Sequence, residues 1–397
     1  MQQDPLAGLD DVPWAELKHN FGPVDAVPSE LRALQAGQST SLWSSSVYQT
    51  AHDEAAVPFL VRLALDARVP DRHEIVRILI NIAIRSDRRF LPNGYNAPDP
   101  LTPAQAEAMR QWVAESEDEA EREWRAAWGT REVQCYDAVR TSLPQLTGLL
   151  KADSSMLRAE VANLLAWFPD FADVSVPLLT AYVADETAPA AAATGLVALG
   201  LLDAPDVVPL LRKQLDSHSG DLRWASAFAL TRLGVTESDV VDALLEAIVQ
   251  PPVPSDEMRF LDGDHRSLAT MALRATPEAT VPRAIDAVLL GLANCKAAER
   301  SWFIEGPPIF YSYDTAQELF QMVFPGAPPE PPRSFDDLSG VQQQVVGFIV
   351  GHGPTHWSSA QGQAFKRWNI PTDYDELCVY AGMNPVPATN PVEIPPF

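Results

Sequence analysis

Leu143-Pro144-Gln145-Leu146, Val176-Pro177-Leu178-Leu179 and Val208-Pro209-Leu210-Leu211 repeat one phrase, apolar-Pro-x-Leu, three times within residues 143–234. Pro144, Pro177 and Pro209 are 33 and 32 residues apart. After each, an apolar, helix-like run ends in an Asp-containing turn, and a second, Ala-rich run follows. Self-similarity at this period is the mark of stacked helix pairs, because one pair cannot bury its apolar face alone. The expected fold is all-α: a right-handed α-solenoid of antiparallel helix pairs, closed by a helical cap at each end. Proline suits such an array, since its missing N–H costs little in a first turn or an inter-helix turn.

Working outward, the second helix of each pair shows its buried stripe. Leu157, Val161, Leu164, Leu165 and Phe168 fall at i, i+4, i+7, i+8 and i+11. Ala190 to Gly195 supplies small residues that let helices approach closely, and Leu222, Ser226, Ala229, Leu230 and Leu233 lead to Gly234. A fifth pair opens at Val241-Asp242-Ala243-Leu244 and a sixth at Val281-Pro282, with the loop 251–262 absorbing the excess length between them. Upstream, 53–85 reads as a first repeat. Its first helix covers about 54–66, and Asp71 with Glu74 forms a capping-box-like start to the second. Ile75, Ile78, Leu79 and Ile82 then follow at helical spacing.

Between these lies an excursion. Pro58 to Pro144 is 86 residues, too long for one repeat. Within 86–139, Met109, Val113, Ala120 and Trp124 make one stripe, so a long helix is expected to end near Trp128-Gly129. It carries Glu115, Glu117, Asp118, Glu119, Glu121 and Glu123, which should face water or a partner. The organisation expected is thus a cap over 1–52, a first repeat over 53–85, the acidic excursion over 86–139, an array over 140–300, and a helical cap with a Pro-rich tail over 301–397.

Acids at the inter-helix turns recur with an Arg in the next first turn: Asp153 with Arg158, Asp216 and Asp221 with Arg223, Asp264 with Arg266. Such residues form a structural ladder between neighbouring repeats. At these phrases the chain resembles HEAT-repeat proteins, most diagnostically over 153–168 and 221–234. The resemblance looks closer to a bacterial group of HEAT-domain proteins, in which Leu42-Trp43 to Pro58, Leu164-Leu165-Ala166-Trp167-Phe168-Pro169 and a Leu-x-x-x-Gln helical module similar to Leu338 to Val350 recur together. HEAT arrays mostly serve as binding scaffolds, so the resemblance implies a protein-interaction role and no chemistry.

Composition narrows the partner. The chain has 397 residues, 46% of them apolar, enough for a continuous core. Its net charge is −24, from 53 acids against 29 bases. A nucleic-acid backbone needs Lys and Arg to neutralise phosphate, so none is expected as a partner. A basic protein is favoured, since a negative field steers cations inward. Three cysteines (Cys135, Cys295, Cys378) make neither a disulfide framework nor a zinc signature. The first residues, Met1-Gln2-Gln3-Asp4-Pro5, lack the basic and apolar regions of a signal peptide, and no run approaches the length of a membrane span. A cytoplasmic location follows as the expectation.

Signals for chemistry are weak. His352 and His356 have a metal-ligand spacing, but Gly353 and Pro354 interrupt any helix joining them. Asp262-Gly263-Asp264-His265 lacks the alternating acids and terminal Glu of a calcium loop and reads as a turn. No nucleophile elbow, phosphate loop or dinucleotide fingerprint is present. The expectation is therefore a non-catalytic protein with no cofactor and no metal, holding a protein partner on the concave face lined by the second helices. Trp224, next to Arg223, is the aromatic candidate for that face. The alternatives are an immunity or inhibitor protein that neutralises a basic toxin, an enzyme such as a HEAT-like lyase, and a subunit of a larger assembly.

Overall fold

The computed structural model describes residues 4–14, 17, 26–38, 51–95, 115, 119–253, 255–294, 311–325, 334–352 and 365–385. Among these the regular structure is entirely helical, α or 3-10, with no strand. No single helix among them is long and apolar enough to cross a membrane. The chain divides into two compact units, residues 1–210 with 255–260, and residues 211–254 with 261–397.

The first unit contains α1 (Val27–Gln35), α2 (Ala51–Leu65), α3 (Arg72–Ile84), α4 (Glu119–Leu146), α5 (Ser155–Leu165), α6 (Ala172–Asp185) and α7 (Pro189–Leu201). Each packs on its neighbour or on the helix beyond: α1 on α2, α2 on α3 and α4, α3 on α4 and α5, α5 on α7, α6 on α7. This two-step contact pattern follows from helices with broad apolar faces, each of which needs more than one partner to leave water. The Ala-rich α7 is buried from Ala190 to Leu201. Gly195 explains how closely α6 approaches: a Cβ there would lie 2.7 Å from Val183 Cγ2 and 3.0 Å from two ring atoms of Tyr182. A row of rings, Phe90, Tyr95, Tyr136 and Phe168, stacks or meets edge-on at 4.6 Å between successive centroids. The Tyr136 hydroxyl ends that row by donating to the Trp167 carbonyl at 3.0 Å.

The second unit holds α9 (Gly220–Arg232), α10 (Ser238–Val249), α11 (His265–Leu273), α12 (Val281–Asn294), α13 (Tyr311–Val323), α14 (Gly340–His352) and α15 (Tyr374–Ala381); the division falls inside α8 (Val208–Leu215). The pattern recurs here. α9 packs on α10 and α11, α10 on α11 and α12, α11 on α13, α12 on α13, and α14 on α15. Asp264 caps α11, its carboxylate accepting the Ser267 N–H at 2.9 Å, and Asp373 caps α15 by accepting from Asp375 and Glu376. These bonds satisfy first-turn donors that would otherwise go unpaired.

Three local expectations are corrected. The long helix of the excursion does not stop near Trp128-Gly129. α4 runs unbroken from Glu119 to Leu146, so the 139/140 boundary falls inside one helix. A single Gly costs a helix only about 1 kcal/mol, and burial of Cys135, Tyr136, Val139 and Leu143 outweighs it. Pro144 accordingly sits near the end of a helix rather than at its start. The capping box at Asp71 also fails to form. Asp71 takes a left-handed conformation, φ 47°, and makes no side-chain cap, while the Glu74 carboxylate meets His73 Nε2 at 3.2 Å instead.

Candidate functional site

The most elaborate polar arrangement of the first unit lies on α5 and α7, under a stretch of chain that the sequence offered only as a spacer. Residues 255–260 lie across these helices. Met258 and Phe260 are buried, and the Phe260 ring meets Trp167 edge-on at 5.6 Å. Between them Arg259 donates through Nε to Glu160 Oε2, with side-chain exposures of 5% and 1%. A charge pair so far from water holds only when its remaining valences are engaged. The Asn163 amide donates to Glu160 Oε1 at 3.3 Å, and Trp167 Nε1 donates to Asn163 Oδ1 at 3.1 Å. Arg259 Nη1 donates to the Asp256 carbonyl.

The backbone of this segment is held as well. The buried Thr194 Oγ1 donates to the Glu257 carbonyl at 2.8 Å and accepts from the Arg259 N–H at 3.3 Å. Ser155 donates to the Glu257 carboxylate. α5 and α7 thus offer a carboxylate for a guanidinium, a hydroxyl for the backbone of a turn, and apolar surroundings for two large side chains. The arrangement holds a stretch of this chain's own polypeptide.

The ladder residues fall differently. Arg158 spans the turn before α5, Nη1 donating to the carbonyls of Ala152 and Asp153 at 2.7 and 2.9 Å. Its carboxylate partner is Glu186, at the end of α6, and Asp153 stays exposed. Arg223 repeats the geometry before α9, Nη1 reaching Ser217 and His218 carbonyls at 3.4 Å and Nη2 reaching Glu246 of α10 at 2.6 Å; Asp216 is exposed. Arg266 donates from Nε to the Ile248 carbonyl at 2.8 Å, and Asp264 serves as the cap of α11. A rigid guanidinium fork over turn carbonyls explains why Arg recurs at this position. For Arg158 and Arg223 the acid comes from the following helix or its end, a choice that spacing within one turn does not reveal.

Trp224 is withdrawn as a partner-binding residue. It is 1% exposed, its ring meeting His265 edge-on at 4.9 Å, because its place on α9 faces α11. Burial pushes the His265 imidazole down to about 4, so it is neutral at pH 7, with Nε2 at 3.8 Å from Asp221 Oδ1. An open cleft of about 290 Å3 beside Trp224 is bordered by Arg223, Glu246, Gln250 and Pro252. Of the acidic run, Glu115 is exposed; Glu117 and Asp118, and the side chains of Glu119, Glu121 and Glu123, lie outside the described residues, as do His356 and Cys295. Desolvation raises the Cys135 thiol far above its usual range, with the Asp53 and Glu54 charges adding to the shift, so this sulfur is no thiolate at neutral pH. Among the described residues no cluster of His, Cys, Asp and Glu has the makings of a metal site.

The fold and this site define an all-helical protein whose first unit clasps a segment of its own chain. No family model matches the sequence, and none of the curated proteins compared with it does.

Proposed function

We propose that this protein is a non-catalytic interaction scaffold, a HEAT-like α-solenoid that holds a partner protein on the face lined by the second helix of each pair. One observation carries the reading: α5 and α7 bind a turn-containing stretch of polypeptide, residues 255–260, through side chains suited to that task. The recurrence of one guanidinium-over-turn geometry at Arg158 and Arg223 supports the repeat, with Arg reaching back to carbonyls five and six residues earlier in both. The net charge of −24 supports a basic partner, and for that reason an immunity or inhibitor role against a cationic toxin is the second reading. Both readings place the protein in the cytoplasm.

Affinity purification from the cells that make the protein, at low salt and with mass spectrometry of what is retained, tests this. A stoichiometric protein that elutes as salt rises is the expected result, because exposed charge pairs are screened over about 10 Å at 0.1 M salt. Retention of a small molecule that the protein converts would replace the scaffold by an enzyme. Glu117→Lys with Glu121→Lys should then slow association of a basic partner several-fold at low salt while leaving helical content unchanged. An unchanged rate across a salt series would mark the acidic run as a solvated face.

A further inference from the structure

The groove on α5 and α7 recognises its occupant by chemistry. Glu160, 1% exposed, takes the guanidinium of Arg259, apolar walls take Met258 and Phe260, and Thr194 takes the intervening backbone. The resident segment turns at 255–258, and any segment with an apolar-Arg-aromatic sequence that can take up the same turn offers the same groups. We propose that this groove is a docking site for such a segment of a partner protein, which displaces residues 257–260 of this chain. The inference rests on the reading of the protein as an interaction scaffold, and it adds the surface and the chemistry of the partner.

Three features of the resident segment favour exchange. Arg259 Nη2 is buried without a hydrogen-bond acceptor, so the native occupant leaves its own charged group incompletely satisfied. On one side the segment follows Pro251, Pro252 and Val253, the last 85% exposed. On the other side Leu261 and Asp262 both hold left-handed backbone, φ 47° and 50°, a conformation unfavourable for residues with a Cβ. The strongly acidic chain in turn favours a partner that brings an Arg.

A fluorescein-labelled peptide, Ser-Asp-Glu-Met-Arg-Phe, is the probe, read by anisotropy against the full chain. The resident segment competes at an effective concentration on the order of millimolar, so the wild type should bind the probe weakly. The double variant Arg259→Ala, Phe260→Ala empties the groove and should bind about tenfold more tightly or better. Adding Glu160→Gln, or replacing the Arg of the peptide by Ala, should remove that gain. A folded double variant that binds no better than wild type overturns the proposal, and so does binding indifferent to Glu160→Gln.

Should the double variant lose its helical circular dichroism, hydrogen exchange on the wild type decides the matter. Amides of 257–260 are expected to exchange faster than the slowest amides of α5 and α7, reporting a local opening. Exchange as slow as those helices means that the segment leaves only on unfolding, and overturns the proposal. A concentration-dependent dimer, abolished by Arg259→Ala with Phe260→Ala, would assign the groove to a second copy and overturn it likewise. Failure here leaves a co-purifying partner standing; loss of the scaffold reading appears instead as nothing retained on the affinity column.

Discussion

Arg158 holds both oxygens of the Glu186 carboxylate, Nε to Oε2 at 2.7 Å and Nη2 to Oε1 at 2.8 Å, while the Glu186 side chain is 0% exposed. Burial alone would raise the Glu186 pKa. The hydrogen bonds from Arg158, those from the Ala188 and Thr187 N–H groups, and the Arg158 charge together outweigh it and hold the carboxyl below its ordinary value. Arg223 and Glu246 make the corresponding contact with one bond, at 30% and 53% exposure. The same residue type, in the same relation to its turn, therefore carries unequal weight at the two turns.

Arg158→Ala should accordingly destabilise the protein by about 1–3 kcal/mol, because a buried carboxylate loses its partner, with a discount for the solvent at the edge of Arg158. Arg223→Ala should cost only about 0.5 kcal/mol, as exposed pairs do. Urea denaturation of the two variants side by side measures the difference. Equal losses would contradict the role given to burial.

His265 should impose a pH dependence of its own. Its folded pKa, lowered from 6.5 to about 4 by burial, means that the unfolded chain takes up a proton first as pH falls. Stability from burying the neutral ring is thus full above pH 6.5 and is lost progressively down to about pH 4. The shift is worth about 3 kcal/mol. Glu186 acts at lower pH, since a lowered carboxyl loses its contribution below its unfolded value of 4.5. Denaturation midpoints between pH 7 and 4.5 should fall for wild type and fall much less for His265→Gln.

Two glycines should respond oppositely to Ala. At Gly291 of α12 a Cβ would stand 2.6 Å from the Ile248 carbonyl oxygen of α10, and backbone has little room to yield. Gly291→Ala should therefore cost about 1–3 kcal/mol, exceeding the gain in helix propensity. Gly347 of α14 meets only Met383 Sδ, at 3.9 Å. Gly347→Ala should stabilise by about 0.4–1 kcal/mol, a rise in melting temperature seen by calorimetry.

Trp224→Ala should lower stability by about 3–5 kcal/mol through the cavity it opens against His265 and its neighbours. Thermal unfolding records this. A variant with unchanged melting and weakened capture of a partner would return Trp224 to the interaction surface.

Much of the helical order was legible before any coordinates. The stripe Leu157, Val161, Leu164, Leu165 and Phe168 is buried throughout, and the small residues of α7 do admit a close neighbour at Gly195. Periodicity and small-residue runs are local properties, written within a few turns of chain. Helix ends were less legible at Gly129 and Asp71. There propensity favoured a stop at one and a cap at the other, and burial of the residues beyond, or the backbone angle adopted, decided otherwise.

The site was not legible, for a physical reason. The sequence by itself determined that the chain is helical, where helices such as α5, α7 and α9 lie and which of their residues are core, since 3.6-residue spacing encodes each. Only the tertiary structure decided which acid meets which Arg, that Trp224 turns inward, and that 251–262 is more than a spacer. Glu160 and Arg259 stand 99 residues apart, and neither belongs to the apolar-Pro-x-Leu phrase. Their pairing depends on how α5 and α7 present a face to a segment without helical period, a relation that exists only once the helices have packed.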